Sequence, residues 1–507
     1  MAIPHYDWIE HHARRTPDKV AVADLAAGSR FTYAELHDRI GRLTALLRAR
    51  GVGPGDRVAS LSQNSGRLFE LLFACGRAGA VFLPLNWRLT GPELQYVVDD
   101  AAPVLLYATP AFAEAATALA AQCPSLREVV GVDHDALDAE LAGLSPAAEI
   151  VPRSHDDTQV LMYTSGTTGS PKGALLTFGM AFWNAINLGV PAAITPATVA
   201  LTVMPMFHTS GLNCYAAPTF HAGGTVLVME GFDAARVLAA LGDRALGITH
   251  FFGVPFAYEA MAREPGFASA DLTHLALAGV GGAAASVPLL RTWEKKGIIL
   301  QHGYGMTETS PSVTTLALDH AIAKAGSIGT PLMHMEVKIV REDGSEATTD
   351  EAGELWIRGP IVTSGYWNQP EATAAAFSDG WLKSGDVARR DADGFLFIVD
   401  RSKDMYISGG ENVYPAEVER VLYDIPAVAE AAVIGVADER WGETGLAVLA
   451  LNPGATLSEE DVLAHCRDRL ARYKHPRKVV FMEALPRTSS GKIHKPPLRA
   501  RFGGGAA

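Results

Sequence analysis

The sequence is short of several things, and each shortage narrows its class. Of 507 residues only four are cysteine, Cys75, Cys123, Cys214 and Cys466, and no two stand in a CxxC spacing. Neither a disulfide framework nor a thiolate metal site is expected, and a reduced, cytoplasmic setting is. No apolar run approaches the ~20 residues that span a bilayer. The opening stretch MAIPHYDWIEHHARRTPDK lacks the apolar centre of a secretory leader, so no integral membrane segment is expected. Basic residues are outnumbered, 43 Lys and Arg against 56 Asp and Glu, for a net charge of −13. That removes the general basic footprint of a nucleic-acid binder. The hydrolase signatures GxSxG and HExxH are absent, as is the GK[ST] ending of a Walker A loop.

What is present describes a globular chain of more than one domain, 48% hydrophobic and 20% charged. Charge is uneven: residues 401–507 hold 15 basic and 14 acidic side chains, so the first 400 carry a net −14. In those first 400, helical and strand-like segments alternate. Leu36, Ile40, Leu43, Leu46 and Leu47 recur at helical spacing over Tyr33–Arg50, a Gly-Pro-Gly turn follows at 53–55, and RVASLSQNS reads as a buried strand. A second helix is expected over Leu68–Ala78 and a strand over 80–86. From about 331 the pattern changes to short strands with turn signals. Beyond DRSKD at 400–404 comes a compact unit: helix PAEVERVLYDI, strands EAAVIGV and GLAVLAL, helix SEEDVLAHCRDRLARY and strand KVVFM. The expected class is α/β: a large multi-part N-terminal region, 1–400, of parallel sheets covered by helices plus a small β-rich part. A small α+β domain, 401–507, follows it.

The most informative stretch is YTSGTTGSPKG, 163–173. It follows the apolar run VLM, where a strand would end. Its hydroxyls, and glycines that let backbone N–H groups approach a ligand, suit phosphate oxygens. A bare surface loop is the competing reading, weakened by the ordered Pro-Lys-Gly ending. Gly279-Val-Gly281-Gly-Ala-Ala284 imitates a dinucleotide fingerprint, but no acidic residue follows at about twenty positions, so a Rossmann dehydrogenase is rejected. YGMTET at 304–309 offers a ring, hydroxyls and a carboxylate; Tyr304 could stack on a base and Glu308 could hold Mg²⁺. Asp386 in SGDV follows a glycine, where a carboxylate can grip vicinal hydroxyls. Lys492 in RTSSGKIHK, taken alone, is a loop lysine.

Taken in order, YTSGTTGSPKG, YGMTET, GELWIRGP, GWLKSGDV, DRSKDMYISGGENVYPAEVE and PRTSSGKIHK resemble the adenylate-forming enzymes, specifically AMP-forming acyl-CoA synthetases, nearest to bacterial fatty-acid and feruloyl/aryl-acid CoA ligases. The likeness runs from about Phe31 to Lys495. It implies that a carboxylate attacks the α-phosphate of MgATP to give an acyl-adenylate and pyrophosphate, after which a thiol displaces AMP.

The roles that follow are those the resemblance implies. Thr164, Ser165, Gly166, Thr167, Thr168, Gly169 and Lys172 would cradle the β- and γ-phosphates, with Thr168 and Glu308 at the metal. Thr307 would meet the α-phosphate, and Tyr304 would pack on adenine. Gly282, Ala283 and Gly305 would line the nucleotide, and Asp386 and Arg401 would hold the ribose. Lys492 would bridge the substrate carboxylate and the α-phosphate. The small domain would be mobile, hinged at Lys403. After rotation Gly409, Gly410 and Glu411 would line a pantetheine tunnel. Tyr473 would stack on the CoA adenine, Arg88, Lys474 and Arg477 would meet its phosphates, and Trp441 would pack nearby.

His208 in PMFHTSGLN resembles the family's histidine at the acyl pocket. Phe207-His208 stands where amino-acid-activating relatives carry Phe-Asp, which speaks against an amino acid substrate. The family often has Thr-His after the phosphate loop; here Thr177-Phe178 either shapes the pocket wall or only packs. Walls at 252–257, 279–284 and 304–306, small and apolar apart from Tyr304, suit an aliphatic or aromatic acid over a polyanionic one. Transfer to a carrier-protein pantetheine arm is the alternative to free CoA. A non-catalytic nucleotide-binding protein ranks low, because Lys492 and Glu308 are both present. A monomer or homodimer is expected.

Overall fold

The computed structural model describes residues 3–131, 134–164, 171–401, 404–408, 411–438, 441–467, 469–470, 472–488 and 491–503, with the side chains of 134, 135, 400, 401, 411 and 412 left out. Four sheets organise them. A six-stranded sheet runs Glu128–Gly131, Leu105–Ala108, Arg57–Leu61, Val81–Pro84, Thr158–Thr164, Lys172–Thr177 from edge to edge, parallel except for the last pair. A nine-stranded sheet has Val20–Asp24, Thr225–Val228, Val199–Thr202, His250–Gly253, Leu277–Gly281 and Leu300–Gly305 as consecutive parallel neighbours, with antiparallel strands at both edges.

The expected helices form for the expected reasons. Thr32 caps Tyr33–Ala49, its hydroxyl accepting from Glu35 N–H at 3.2 Å while the Glu35 carboxylate accepts from Thr32 N–H at 2.8 Å. All five leucine and isoleucine positions named for this helix are buried. The helix expected from Leu68 begins at Gly66, capped by Ser65, and ends at Gly79 in the left-handed region (φ 82°). The preceding strand stops at Leu61, because 62–65 make the turn into that cap.

Gly66–Ala78 lies between the two large sheets and buries nearly its whole surface. Its three buried charges are paired: Glu70, 1% exposed, accepts from Arg39 at 3.1 Å and Arg67 at 3.0 Å, Arg67 also meets Asp138, and Arg77 donates to Asp7 at 2.7 Å. Breaking one member would leave a buried charge uncompensated, at about 3–5 kcal/mol. Phe178 settles its two readings. Its ring lies 4.4 Å from His5 and faces Gly76 on the same helix, so it packs in the body rather than lining a pocket. All four cysteines are free and buried.

A five-stranded antiparallel sheet follows, built on Glu336–Val340, Gly353–Arg358 and Trp381–Arg390 and closed by Leu396–Arg401. The fourth sheet starts at Tyr406 and is centred on Val428–Asp438 and Gly442–Leu451, with Pro476–Phe481 added in parallel. Helix Pro415–Tyr423 covers it. The second helix expected there, 458–473, is shorter than its pattern suggests: it spans Glu459–Arg467, and Arg472–Lys474 form a separate 3-10 turn. Pro476 disfavours helix at the residue before it, and the chain must turn there to enter the last strand. Among the described residues no helix is long and apolar enough to cross a membrane.

Candidate active site

The site lies where the parallel strands His250–Gly253, Leu277–Gly281 and Leu300–Gly305 end side by side, the usual place for ligands in an open α/β sheet. All three end in glycine, and at Gly305 the reason is steric. A Cβ there would sit 1.5 Å from the Pro311 carbonyl oxygen, so only glycine lets the chain fold back on itself. The fold-back is the 3-10 turn Thr307–Thr309, pinned by Thr309 Oγ1, which accepts from Met306 N–H at 3.0 Å. Ser310 closes it in the left-handed region, φ 56°.

The turn holds Glu308 as a buried carboxylate, 7% exposed, accepting from the Tyr366 hydroxyl at 2.9 Å. Burial first, then the neighbouring carboxylate, raises the Tyr366 phenol above its ordinary range, so it remains a donor. The Lys172 ammonium lies 5.4 Å from the centre of the Tyr366 ring. Thr164 and Lys172 face each other across the last strand pair, so sheet pairing joins the two ends of the 163–173 motif, with Lys172 beside the tyrosine that bonds Glu308. Ser165, Gly166, Thr167, Thr168 and Gly169 lie outside the described residues. A desolvated carboxylate beside a lysine and hydroxyl donors fits a hard divalent cation and phosphate oxygens.

Tyr304 and Asp386 meet directly, the phenol donating to Asp386 Oδ2 at 2.6 Å. Asp386 is 7% exposed, and its N–H donates to Ser384 Oγ at 3.1 Å. Arg401 is its partner residue on the adjacent antiparallel strand, so both stand at the same level of that sheet. The Arg401 side chain, Lys403, Gly409 and Gly410 lie outside the described residues.

Lys492 comes from the small domain on a tight hairpin, with Thr488 N–H donating to the Lys492 carbonyl at 2.7 Å and Gly491 N–H to the Thr488 carbonyl at 2.9 Å. Its Cε lies 3.5 Å from the point where a Cβ on Gly282 would stand. Gly282 has φ +77°, a conformation that favours glycine at the place where the lysine arrives. The Ala283 carbonyl pairs with His302 Nε2 at 3.2 Å. His208 heads the short helix Thr209–Leu212, its ring 5.0 Å from Phe207. Burial, helped by the cations of Lys492 and Arg88, pushes the imidazole down to about 4, so it is neutral near pH 7. Arg88 lies over Trp87 at 4.7 Å and near Phe207 at 5.9 Å, on the His208 side of the site.

The residues expected to meet CoA fall into two places. Arg88 stands on the large body; Trp441, Tyr473, Lys474 and Arg477 stand on the small domain. There Arg477 lies 5.1 Å from the Trp441 ring, and Lys474 pairs with Glu417 at 2.6 Å, so part of its charge is already answered.

Sequence reading missed the layer that holds these groups in place. Asn213 Nδ2 donates to Ser310 Oγ at 3.0 Å, and Asn184 Nδ2 donates to the Asn213 carbonyl at 3.0 Å. Asn184 Oδ1 accepts from Ser312 N–H at 3.4 Å. Two buried asparagines therefore stitch the His208 turn to the Glu308 turn. Tyr366 was missed too. Its only sequence signal is the aromatic after Gly365, a glycine with φ 146° whose Cβ would strike Thr373.

Fold and site together define an adenylate-forming enzyme. A family model for AMP-binding enzymes matches residues 9–367, and one for their C-terminal domain matches 417–492. A feruloyl-CoA synthase from Amycolatopsis sp is 45% identical over 496 residues, covering 98% of each chain. A long-chain-fatty-acid–CoA ligase from Mycobacterium tuberculosis is 36% identical, covering 97% of each. The structure of ATP-bound MatB from Rhodopseudomonas palustris matches with a TM-score of 0.90 at 34% identity, covering 98% of this chain and 99% of that one. The chain belongs to the AMP-binding family of acyl-CoA ligases. It is an acid–thiol ligase whose substrates are a small carboxylic acid, ATP and CoA.

Proposed function

We propose that this chain activates a compact aromatic acid of the phenylpropenoic type as its adenylate and passes the acyl group to free CoA. The observation that carries the reading of the chemistry is the place of Lys492, beside Gly282 and facing His208 at the end of the sheet. The central difficulty is bringing a carboxylate anion onto a polyanion, and a placed cation at the reacting oxygens answers it. Lys492 would contact the incoming carboxylate and the α-phosphate together. Tyr304 and Asp386 would seat the nucleoside, Asp386 with Arg401 on the ribose. Thr164 and Lys172 would frame the loop that receives the outer phosphates. Glu308, held by Tyr366, would bind Mg²⁺, which supplies charge neutralisation on the phosphates when bound. Neutral His208 would close the acyl side without adding charge.

The wall beneath Lys492 supports an aromatic acid. A Cβ on Gly279 would lie 2.2 Å from the Tyr215 hydroxyl, and the Tyr215 and Phe252 rings stand 5.8 Å apart. This wall is ring-lined, the two rings meeting edge to face at 71°, and Tyr215 is itself buried, 6% exposed. The feruloyl-CoA synthase relative points the same way.

The sheet that closes at Arg401 and the one that opens at Tyr406 support a division into 1–400 and a mobile 401–507, hinged at Lys403. Rotation would withdraw Lys492 and bring Trp441, Tyr473, Lys474 and Arg477 to the CoA side with Arg88. A cytoplasmic site of action fits four free thiols and the use of ATP and CoA.

The test is hydroxamate trapping across ferulate, 4-coumarate, benzoate, hexanoate and palmitate, followed by CoA or a carrier protein as acceptor. Ferulate or 4-coumarate should give the largest signal and CoA should accept the product. Palmitate outrunning both aromatic propenoates would overturn the substrate class, and an inert response to CoA would overturn the acceptor.

A further inference from the structure

Lys492 reaches the sheet on a short hairpin, and Arg487 ties that hairpin to both domains. Within the small domain its Nη1 donates to the Gly491 carbonyl at 2.6 Å, next to the lysine itself, and its Nη2 donates to Glu430 Oε1 at 2.6 Å. Across the seam the guanidinium lies 4.3 Å from the centre of the Phe256 ring, at the start of helix Pro255–Arg263 in the large body. One turn along that helix stands Glu259, which burial raises above the usual carboxylate range while Arg263 and Arg487 oppose the rise and Glu430 adds to it. The buried Tyr423 phenol of the small domain faces the same carboxylates. One guanidinium therefore bonds a carboxylate of the small domain, stacks on an aromatic ring of the larger one and acts electrostatically on the carboxylate one turn from that ring. Without it, Glu259 and Glu430 would be left as like charges in a half-buried seam.

We propose that Arg487 is the positioning residue that holds Lys492 in its adenylating place, by pinning the lysine hairpin to the Phe256–Glu259 face of the large body. The proposal rests on the reading of Lys492 and of domain rotation given above. Its role is confined to one half-reaction. When the small domain turns away, the contacts to Phe256 and Glu259 are given up, so Arg487 supports acyl-adenylate formation and not thiol attack.

The experiment measures the half-reactions separately for Arg487→Ala and Arg487→Met, using ferulate or the acid with the largest hydroxamate signal. ATP–pyrophosphate exchange should fall about 10²-fold, the effect of misplacing a reacting group by roughly 1 Å. CoA attack on chemically prepared acyl-adenylate should stay at the wild-type rate, which also reports an intact fold. Adding Glu259→Gln to Arg487→Ala should recover part of the exchange by removing the repulsion. Equal losses in both half-reactions, or undiminished exchange, would overturn the proposal. Lys492→Ala separates the two levels: if it too leaves exchange intact, the reading of the site has failed. If it abolishes exchange while the Arg487 variants do not, only the role of Arg487 has.

Discussion

The two sides of this active site are held by different means. On the large body Tyr304 is fixed to Asp386, Glu308 to Tyr366, and the Glu308 turn to the His208 turn through Asn213 and Asn184. Each is a short bond between groups that are buried or nearly so, on elements that belong to packed sheets. On the small domain Lys492 stands on a hairpin whose contacts with the body include a stacked arginine and a shared electrostatic field. On the function proposed above, the contrast teaches that the nucleotide and metal positions would be set by folding, whereas the reacting cation would be delivered by docking. A group that must leave between two chemical steps needs contacts weak enough to break, within a few kcal/mol.

That contrast can be broken at its strong end or its weak end. The largest effect is expected from Lys492→Ala, which should slow acid-dependent ATP–pyrophosphate exchange on the order of 10²–10³-fold while sparing CoA attack on preformed adenylate. Loss of both steps together would mean that the lysine is part of the fixed wall after all. Acid should next act on the body. Burial sets His5 at about 4, and His208 lies there for the reasons given. Unfolded histidine takes its proton near 6.5, so stability is whole above that pH and declines as pH falls from 6.5 to 4, by at most about 3 kcal/mol for each. Thermal melts across that window should show the decline, and His5→Phe, which keeps the ring against Phe178, should remove the His5 share of it and leave the rest.

A smaller change is expected at the asparagine layer. Asn213→Leu strands the Ser310 hydroxyl and loosens the Glu308 turn against the His208 turn. It should raise the KM for MgATP about tenfold, equal to about 1.4 kcal/mol. Asn213→Ser should restore part of this, and a fall in kcat alone with a lower Tm would mark a merely structural residue. The smallest effect belongs to Tyr366→Phe. It removes one hydrogen bond to Glu308, so the magnesium concentration for half-maximal rate should rise by a factor corresponding to about 1 kcal/mol.

Much of this was legible in the chain itself, and the limit has a physical form. Short contiguous motifs carried Glu308 and Lys492, each held by a tight turn, and Asp386, in the strand Trp381–Arg390 just after Gly385, because residue types there answer to local backbone demands. Helices such as Tyr33–Ala49 were legible because cap and apolar period agree. What escaped were partnerships across distance: Asn213 with Ser310 are 97 positions apart, and Tyr366 with Glu308 are 58 apart. Nothing in the local pattern of an asparagine or a tyrosine says which remote turn it will support. The helix expected over 458–473 was misjudged in length for a related reason. Its composition reads as helix, while Pro476 and the following strand decide otherwise.

The burial of the four cysteines has a consequence for the chemistry they never join. An acyl-adenylate is a mixed anhydride that will acylate any thiolate it meets, and this enzyme must hold one until the thiol of CoA arrives. Cys214 stands in the chain between Asn213 and Tyr215. Burial holds it and Cys75 far above the ordinary thiol range. Burial likewise moves Cys123 and Cys466 up to about 11. At neutral pH these sulfurs remain thiols, and the thiol is a far poorer nucleophile than the thiolate. The fold thus protects the enzyme from its own activated product, and leaves the acceptor that docks from outside as the sulfur that reacts.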